Sequence, residues 1–74
     1  MKAYTVDPLK FETMRVKNGY SKLELGCEVG YQTHPKERIK EIESPKINTR
    51  KRVREDFANR FAEVFGCRVG DFVE

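Results

Sequence analysis

The chain has 74 residues, of which 38% are hydrophobic and 36% are charged, and this length predicts one domain, 1–74, with a small core. No apolar run approaches the ~20 residues that a membrane-spanning helix needs. The first seven residues also lack the apolar stretch of a secretory signal peptide. We therefore expect no membrane partner and a cytoplasmic location.

The cysteine and histidine content argues against a metal site and against catalysis. Cys27 and Cys67 lie forty positions apart, and His34 is the only histidine, so four clustered zinc ligands are not available. We predict two free thiols rather than a disulfide in a reducing cytosol. The sequence has no Ser/His/Asp set, no Cys–His pair and no glycine-rich phosphate loop. We expect that the protein is not an enzyme and that it binds no cofactor, no metal and no small-molecule ligand.

The charge is distributed unevenly along the chain. Residues 1–30 carry five Lys/Arg against four Asp/Glu, residues 31–54 carry eight against three, and residues 55–74 carry two against five. A basic middle segment predicts a positive face that binds a polyanion. The alternative is that these charges form only the solvated face of a helix.

The first helix is predicted over 8–17. Asp7 followed by Pro8 is typical of an N-cap with proline at the first helical position. Val6 and Phe11 have the spacing of a hydrophobic staple across this helix start.

The second helix is predicted over 22–29. Ser21 and Glu24 have the spacing of a capping box, and Gly30 ends the helix because glycine tolerates the sharp turn that follows.

The third helix is predicted over 35–43, with Pro35 in its first turn. Ile39 and Ile42 form its buried stripe, and the Ser44-Pro45 pair ends it.

A fourth and longest helix is predicted from about residue 50 to 65. Its apolar stripe follows a helical period and consists of Val53, Phe57, Phe61, Val64 and Phe65. The three phenylalanines are expected to be core. A short turn or helix follows at 69–72. No strand is compelling, although residues 3–6 could be extended.

Three stretches resemble the phage-repressor-like (lambda repressor, Cro and XRE-type) helix-turn-helix domains. Residues 15–30 match the first two helices of that family through Arg15, Gly19, Ser21, Leu25, Gly26, Val29 and Gly30. Residues 39–43 are similar to the end of its recognition helix, and residues 61–73 to its closing segment. The connection before Ile39 is about three residues longer than the short turn of the motif, and Pro45 replaces a glycine.

The resemblance implies an all-α fold, a compact four- to five-helix bundle. It also implies a homodimer on paired half-sites, with Val69, Phe72 and Val73 or the N-terminal arm as candidate contacts. An ion pair between Arg15 and Glu43 would hold helix three against helix one. Small Gly26 would let helices two and three approach closely.

The predicted function is a sequence-specific, repressor-like regulator of transcription, with helix 35–43 in the major groove of double-stranded DNA and basic residues 46–54 on the DNA backbone. The predicted DNA contacts are Ser21, Lys22, Gln32, Thr33, His34, Lys36, Glu37, Arg38, Lys40, Lys46, Arg50, Lys51 and Arg52; Arg54 extends the basic run. The alternative is a helix-turn-helix-shaped protein-interaction module that does not read DNA. The acids Glu37 and Glu41 on helix three favour that alternative.

Overall fold

Four α-helices and a two-stranded sheet make up the structure, a computed structural model that describes residues 2–44 and 52–74. In chain order the elements are β1 (Ala3–Thr5), α1 (Pro8–Lys17), α2 (Lys22–Glu28), α3 (Pro35–Ile42), β2 (Arg52–Arg54), α4 (Glu55–Phe65) and a 3₁₀ turn (Val69–Asp71). The mainly helical architecture agrees with the prediction. None of the helices in the described ranges is long and apolar enough to cross a bilayer.

Local capping explains where the first two helices begin. The Asp7 carboxylate accepts the backbone N–H groups of Leu9 at 3.1 Å and Lys10 at 3.3 Å. At α2 the Ser21 hydroxyl accepts the N–H of Glu24, and the Glu24 carboxylate accepts the N–H of Ser21, both at 3.1 Å. Both predicted caps are confirmed, and each satisfies N–H groups that a helix leaves unpaired.

The sheet corrects two predictions. β1 pairs antiparallel with β2, with Tyr4 opposite Val53. The preference for no strand is therefore wrong, whereas the extended alternative for residues 3–6 is confirmed at Ala3–Thr5. The fourth helix begins at Glu55 rather than near residue 50. The physical reason is the burial pattern: Val53 is buried between two exposed arginines, which is the two-residue period of a strand. Glu55 and Asp56 then supply the acidic first turn that favours a helix start.

The C-terminal residues pack against the N-terminal strand. Val73 bridges to Val6, and the Glu74 N–H donates to the Thr5 carbonyl at 2.9 Å. Phe72 has no exposed surface, so of the candidate dimer contacts Phe72 has no side-chain surface to offer a second copy. Its ring packs inside the domain because the C-terminal residues pair with the N-terminal residues.

Four phenylalanine rings form the centre of the core. The Phe11 ring meets those of Phe61, Phe65 and Phe72 edge to face, with centroids 4.9, 5.4 and 6.0 Å apart, an arrangement that aromatic rings prefer. The smaller buried residues around them are Val6, Leu25, Val29, Ile39, Ile42, Val53, Ala58 and Ala62. Phe61 and Phe65 are core as predicted, whereas Phe57 is only partly buried.

Candidate nucleic-acid interface

The junction of α2 and α3 depends on two glycines. A Cβ atom at Gly26 would lie 2.5 Å from the Pro35 carbonyl oxygen, so only glycine allows α2 to approach the start of α3 this closely. Gly30 has a φ of +98°, a conformation that L side chains rarely adopt. Both predicted glycine roles are confirmed.

The connection into α3 contains a backbone conformation unusual for a residue other than glycine. His34, the residue before α3, has a φ of 51° and a ψ of 52°, and its side chain makes no capping hydrogen bond. This left-handed conformation costs about 1–2 kcal/mol outside glycine, so surrounding contacts must hold it. Gln32, Thr33 and His34 are all exposed and lie at the start of α3, where they were predicted.

A largely buried ion pair joins the end of α3 to α1. Arg15 Nε donates to Glu43 Oε2 at 2.6 Å, Nη2 donates to Oε1 at 3.0 Å, and Nη1 donates to the Tyr20 carbonyl at 2.8 Å. The two side chains are only 11% and 4% exposed. The hydrogen-bonded Glu43 carboxylate raises the pKa of Arg15. The predicted pair is therefore confirmed, and its two-pronged geometry fixes the orientation of α3 relative to α1.

A shallow groove on one side of α3 brings together residues from α1, α2 and α3. Its lining residues are Arg15, Ser21, Lys22, Leu23 and Lys36. Lys36 therefore lies beside the start of α2. We call Ser21, Lys22 and Lys36 the lysine flank.

A wider groove of about 560 Å³ lies between α3 and β2. Its lining residues are Tyr31, Arg38, Glu41, Ile42, Arg52, Val53, Arg54 and Phe57. Arg38, Arg52 and Arg54 are exposed, and we call these three the arginine flank. Arg54 also forms an exposed ion pair with Asp56 at 3.5 Å.

The two flanks lie on opposite sides of α3. Lys36 and Arg38 are two residues apart, which separates their side chains by roughly 200° around an α-helix. Glu37 and Lys40 are exposed and lie between the two flanks on the outer surface of the helix. The outer face of α3 is therefore bordered by basic side chains on both sides, and the acid Glu41 lines the groove of the arginine flank.

A stack of rings and guanidinium groups lies behind the arginine flank. Tyr31 and Phe57 are parallel, with centroids 4.5 Å apart and an interplanar angle of 9°. The Arg38 guanidinium carbon is 6.0 Å from the Tyr31 ring centre, and that of Arg60 is 5.0 Å from the Phe57 ring centre. Burial raises the pKa of Tyr31, and the nearby Arg38 and Arg54 partly offset that rise.

The structure groups the predicted contacts in a way that the sequence does not show. It places Lys36 with Ser21 and Lys22, and Arg38 with Arg52. The predicted contacts Lys46, Arg50 and Lys51 lie outside the described residues. Sequence reasoning missed Tyr31 and Phe57 as a pair and Arg60 altogether. Tyr31 and Phe57 are twenty-six residues apart in the sequence, so no local pattern indicates that their rings meet.

Both cysteines are free thiols, as predicted: Cys27 is exposed and Cys67 is partly buried. Burial raises the pKa of the Cys67 thiol, which makes it less reactive than an ordinary thiol. Among residues 2–44 and 52–74, no group of three His, Cys, Asp or Glu side chains could hold a metal ion.

No protein-family model, curated protein or solved structure matches this chain. The placement of α3 between the lysine flank and the arginine flank is thus the observation that bears most directly on function.

Proposed function

We propose that this protein is a sequence-specific DNA-binding regulator of the lambda-repressor-like helix-turn-helix type, with α3 in the major groove. The two basic flanks on α3 carry the proposal. The major groove of B-DNA is about 12 Å wide and admits one α-helix, and a phosphate backbone runs along each of its edges. A helix bordered by positive charge on both sides has the charge distribution that this setting requires. We also propose that the protein carries out this role in the cytoplasm.

The two flanks and the face between them have different roles in the proposal. Lys22 and Lys36 bind phosphates of one strand, while Arg38 and Arg52 bind phosphates of the other. Such contacts position a protein on DNA without reading its sequence.

Base reading is assigned to the outer face of α3. Lys40 can donate to guanine O6 and N7, and Glu37 can accept from the amino group of cytosine. Glu37 therefore has two opposing effects on binding. It accepts a hydrogen bond where a cytosine is present, and its negative charge repels the DNA phosphates.

The scaffold supports the same interpretation. The Arg15–Glu43 pair, the close approach at Gly26 and the turn at Gly30 occur where the resemblance implies them. A buried ion pair is weak support for stability, because desolvation offsets the attraction. Its two-pronged hydrogen bonding instead orients α3, which is what a reading helix needs.

Selection of bound duplexes from a random DNA pool tests the proposal. We expect one enriched sequence, palindromic if the protein binds as a homodimer. On that site, Lys36→Ala and Arg38→Ala should each weaken binding to all sequences alike and reduce the salt slope by about 1. Lys40→Ala should instead relax the preference at one base position.

The matched control is Lys10→Ala. Lys10 is an exposed lysine on α1 and lines neither groove, so its loss should change affinity and salt slope much less. If no sequence is enriched, and the flank variants bind DNA as the control does, the proposal is wrong.

The second candidate is a protein-interaction module that does not read DNA. The position of Glu37 on the outer face of α3 favours it, since an acid there opposes approach to phosphates. A gel shift with random genomic fragments at low salt separates the two functions. The interaction module gives no shift, whereas a DNA-binding protein shifts even non-specific fragments.

A further inference from the structure

We infer that the stacked pair Tyr31 and Phe57 is a positioning device that sets the angle at which α3 meets DNA. This inference rests on the proposed function. It concerns the connection between α2 and α3, which is longer than the short turn that usually joins these two helices.

The Arg15–Glu43 pair orients the C-terminal end of α3, whereas the stack acts at the other end of the helix, on the connection that leads into it. This connection has a backbone that does not by itself fix the start of α3. It contains the left-handed His34, whose side chain makes no capping bond. The Tyr31 N–H donates to the Gly26 carbonyl at 3.0 Å, which secures only the beginning of the connection. The first backbone bond of α3, from Arg38 N–H to the His34 carbonyl, forms only if His34 keeps its conformation.

The stack joins three helices and the connection in one series of contacts. Arg60 of α4 donates to the Val29 carbonyl at the end of α2, at 3.2 Å, and its guanidinium lies over the ring of Phe57. Phe57 is stacked on Tyr31 of the connection, and the Arg38 guanidinium of α3 lies 6.0 Å from the Tyr31 ring centre. Rotation of α3 would therefore disturb contacts that extend back to α2.

The solvent exposure of this pair differs from that of the core rings. Tyr31 and Phe57 are only partly buried, while Phe11 and Phe61 have no exposed surface. Parallel ring stacking and guanidinium–ring contacts have preferred orientations that aliphatic packing lacks. Tyr31 also helps to place the Arg38 guanidinium in the arginine flank, so the ring influences a proposed phosphate contact directly.

The test compares Tyr31→Leu and Phe57→Leu with Phe65→Leu, which removes a core ring outside the stack. The readout is the ratio of affinities for the selected site and for random DNA, measured where circular dichroism shows each variant folded. We expect the two stack variants to lower this ratio by about tenfold or more, a loss of roughly 1.4 kcal/mol. A misplaced α3 loses base contacts, while phosphate contacts tolerate small shifts. Phe65→Leu should lower stability and leave the ratio unchanged, and Tyr31→Phe should retain it.

Amide hydrogen exchange provides a readout that does not depend on DNA. Exchange at Arg38 and Ile39 should be faster in Tyr31→Leu than in Phe65→Leu. If wild-type protein binds no DNA but this difference is present, the proposed function is wrong and the ordering of α3 by the stack stands.

Equal exchange, or an affinity ratio no lower than that of Phe65→Leu, would overturn the inference. Should the leucine variants fail to fold, Arg60→Gln takes their place. Arg60 is exposed, and its replacement removes both the contact with Phe57 and the bond to Val29. It should lower the ratio in the same direction, and an unchanged ratio would count against the stack.

Discussion

Replacement of Gly26 by alanine tests the packing that brings α3 against α2. The added methyl carbon would lie 2.5 Å from the carbonyl oxygen of Pro35, and 2.7 Å from both its carbonyl carbon and its Cβ. Two of these atoms are backbone and the third belongs to a proline ring, so no flexible side chain can move aside. The helices must separate or tilt by roughly 1 Å to restore ordinary van der Waals distances of about 3.5 Å.

The expected magnitude follows from two opposing terms. Alanine in place of glycine inside a helix normally stabilises by about 0.5–1 kcal/mol. Overpacking a well-filled contact costs about 1–3 kcal/mol and occasionally more, and the rigid obstacle at Pro35 favours the upper part of that range. We expect a net loss of about 2 kcal/mol, which lowers the Tm of a domain of this size by roughly 8–16 °C.

Thermal and urea unfolding followed by far-ultraviolet circular dichroism measure this loss. The matched control is Gly70→Ala, because a Cβ at Gly70 meets nothing within 4 Å. That surface substitution should change stability by no more than about 0.5 kcal/mol. A Gly26→Ala protein with the same Tm as the control would refute the close approach of α2 and α3.

Three further predictions concern the charged and capping groups. Glu43→Ala leaves the largely buried Arg15 without its carboxylate, so urea unfolding should show a free energy of unfolding lower by about 3–5 kcal/mol. Replacing both residues by leucine should recover most of this stability. No recovery would argue against the ion pair as the cause. Hydrogen bonds from Ser21 lower the pKa of Glu24 from 4.5 in the folded protein, so the unfolded chain binds more protons as the pH falls. The resulting stabilisation is fully present above the ordinary Glu pKa of 4.5. It is lost as the pH falls through the lower pKa of the folded protein. Glu24→Gln should therefore lower the urea midpoint near neutral pH, and its difference from wild type should shrink as the pH falls through the folded pKa of Glu24. A difference that does not shrink with falling pH would contradict this origin. Asp7→Ala removes the cap of α1 and should cost about 1 kcal/mol in thermal unfolding, with Asp7→Asn as the control that keeps the capping oxygen.

The proposed interface was partly predictable. The lysines and arginines of the basic segment were visible as a charge excess, and Ser21 and Lys22 were assigned from the resemblance. The split of these charges into two flanks was not visible, because Arg52 was assigned to a helix. Once Arg52 is placed in a strand beside α3, it lies in the same groove as Arg38. The basic residues therefore lie on two sides of α3 rather than on one general face.

The sequence alone determined the beginnings of α1 and α2, since a cap bonds to N–H groups no more than three residues away. Asp7 and Ser21 are examples. The tertiary structure alone decided that Val53 lies in a strand, because a three-residue segment is extended only when Tyr4 and its neighbours pair with it. It likewise decided the stacking of Tyr31 on Phe57. Short-range hydrogen bonds can be inferred from neighbouring residues, but strand pairing and ring stacking depend on residues that only the folded chain brings together.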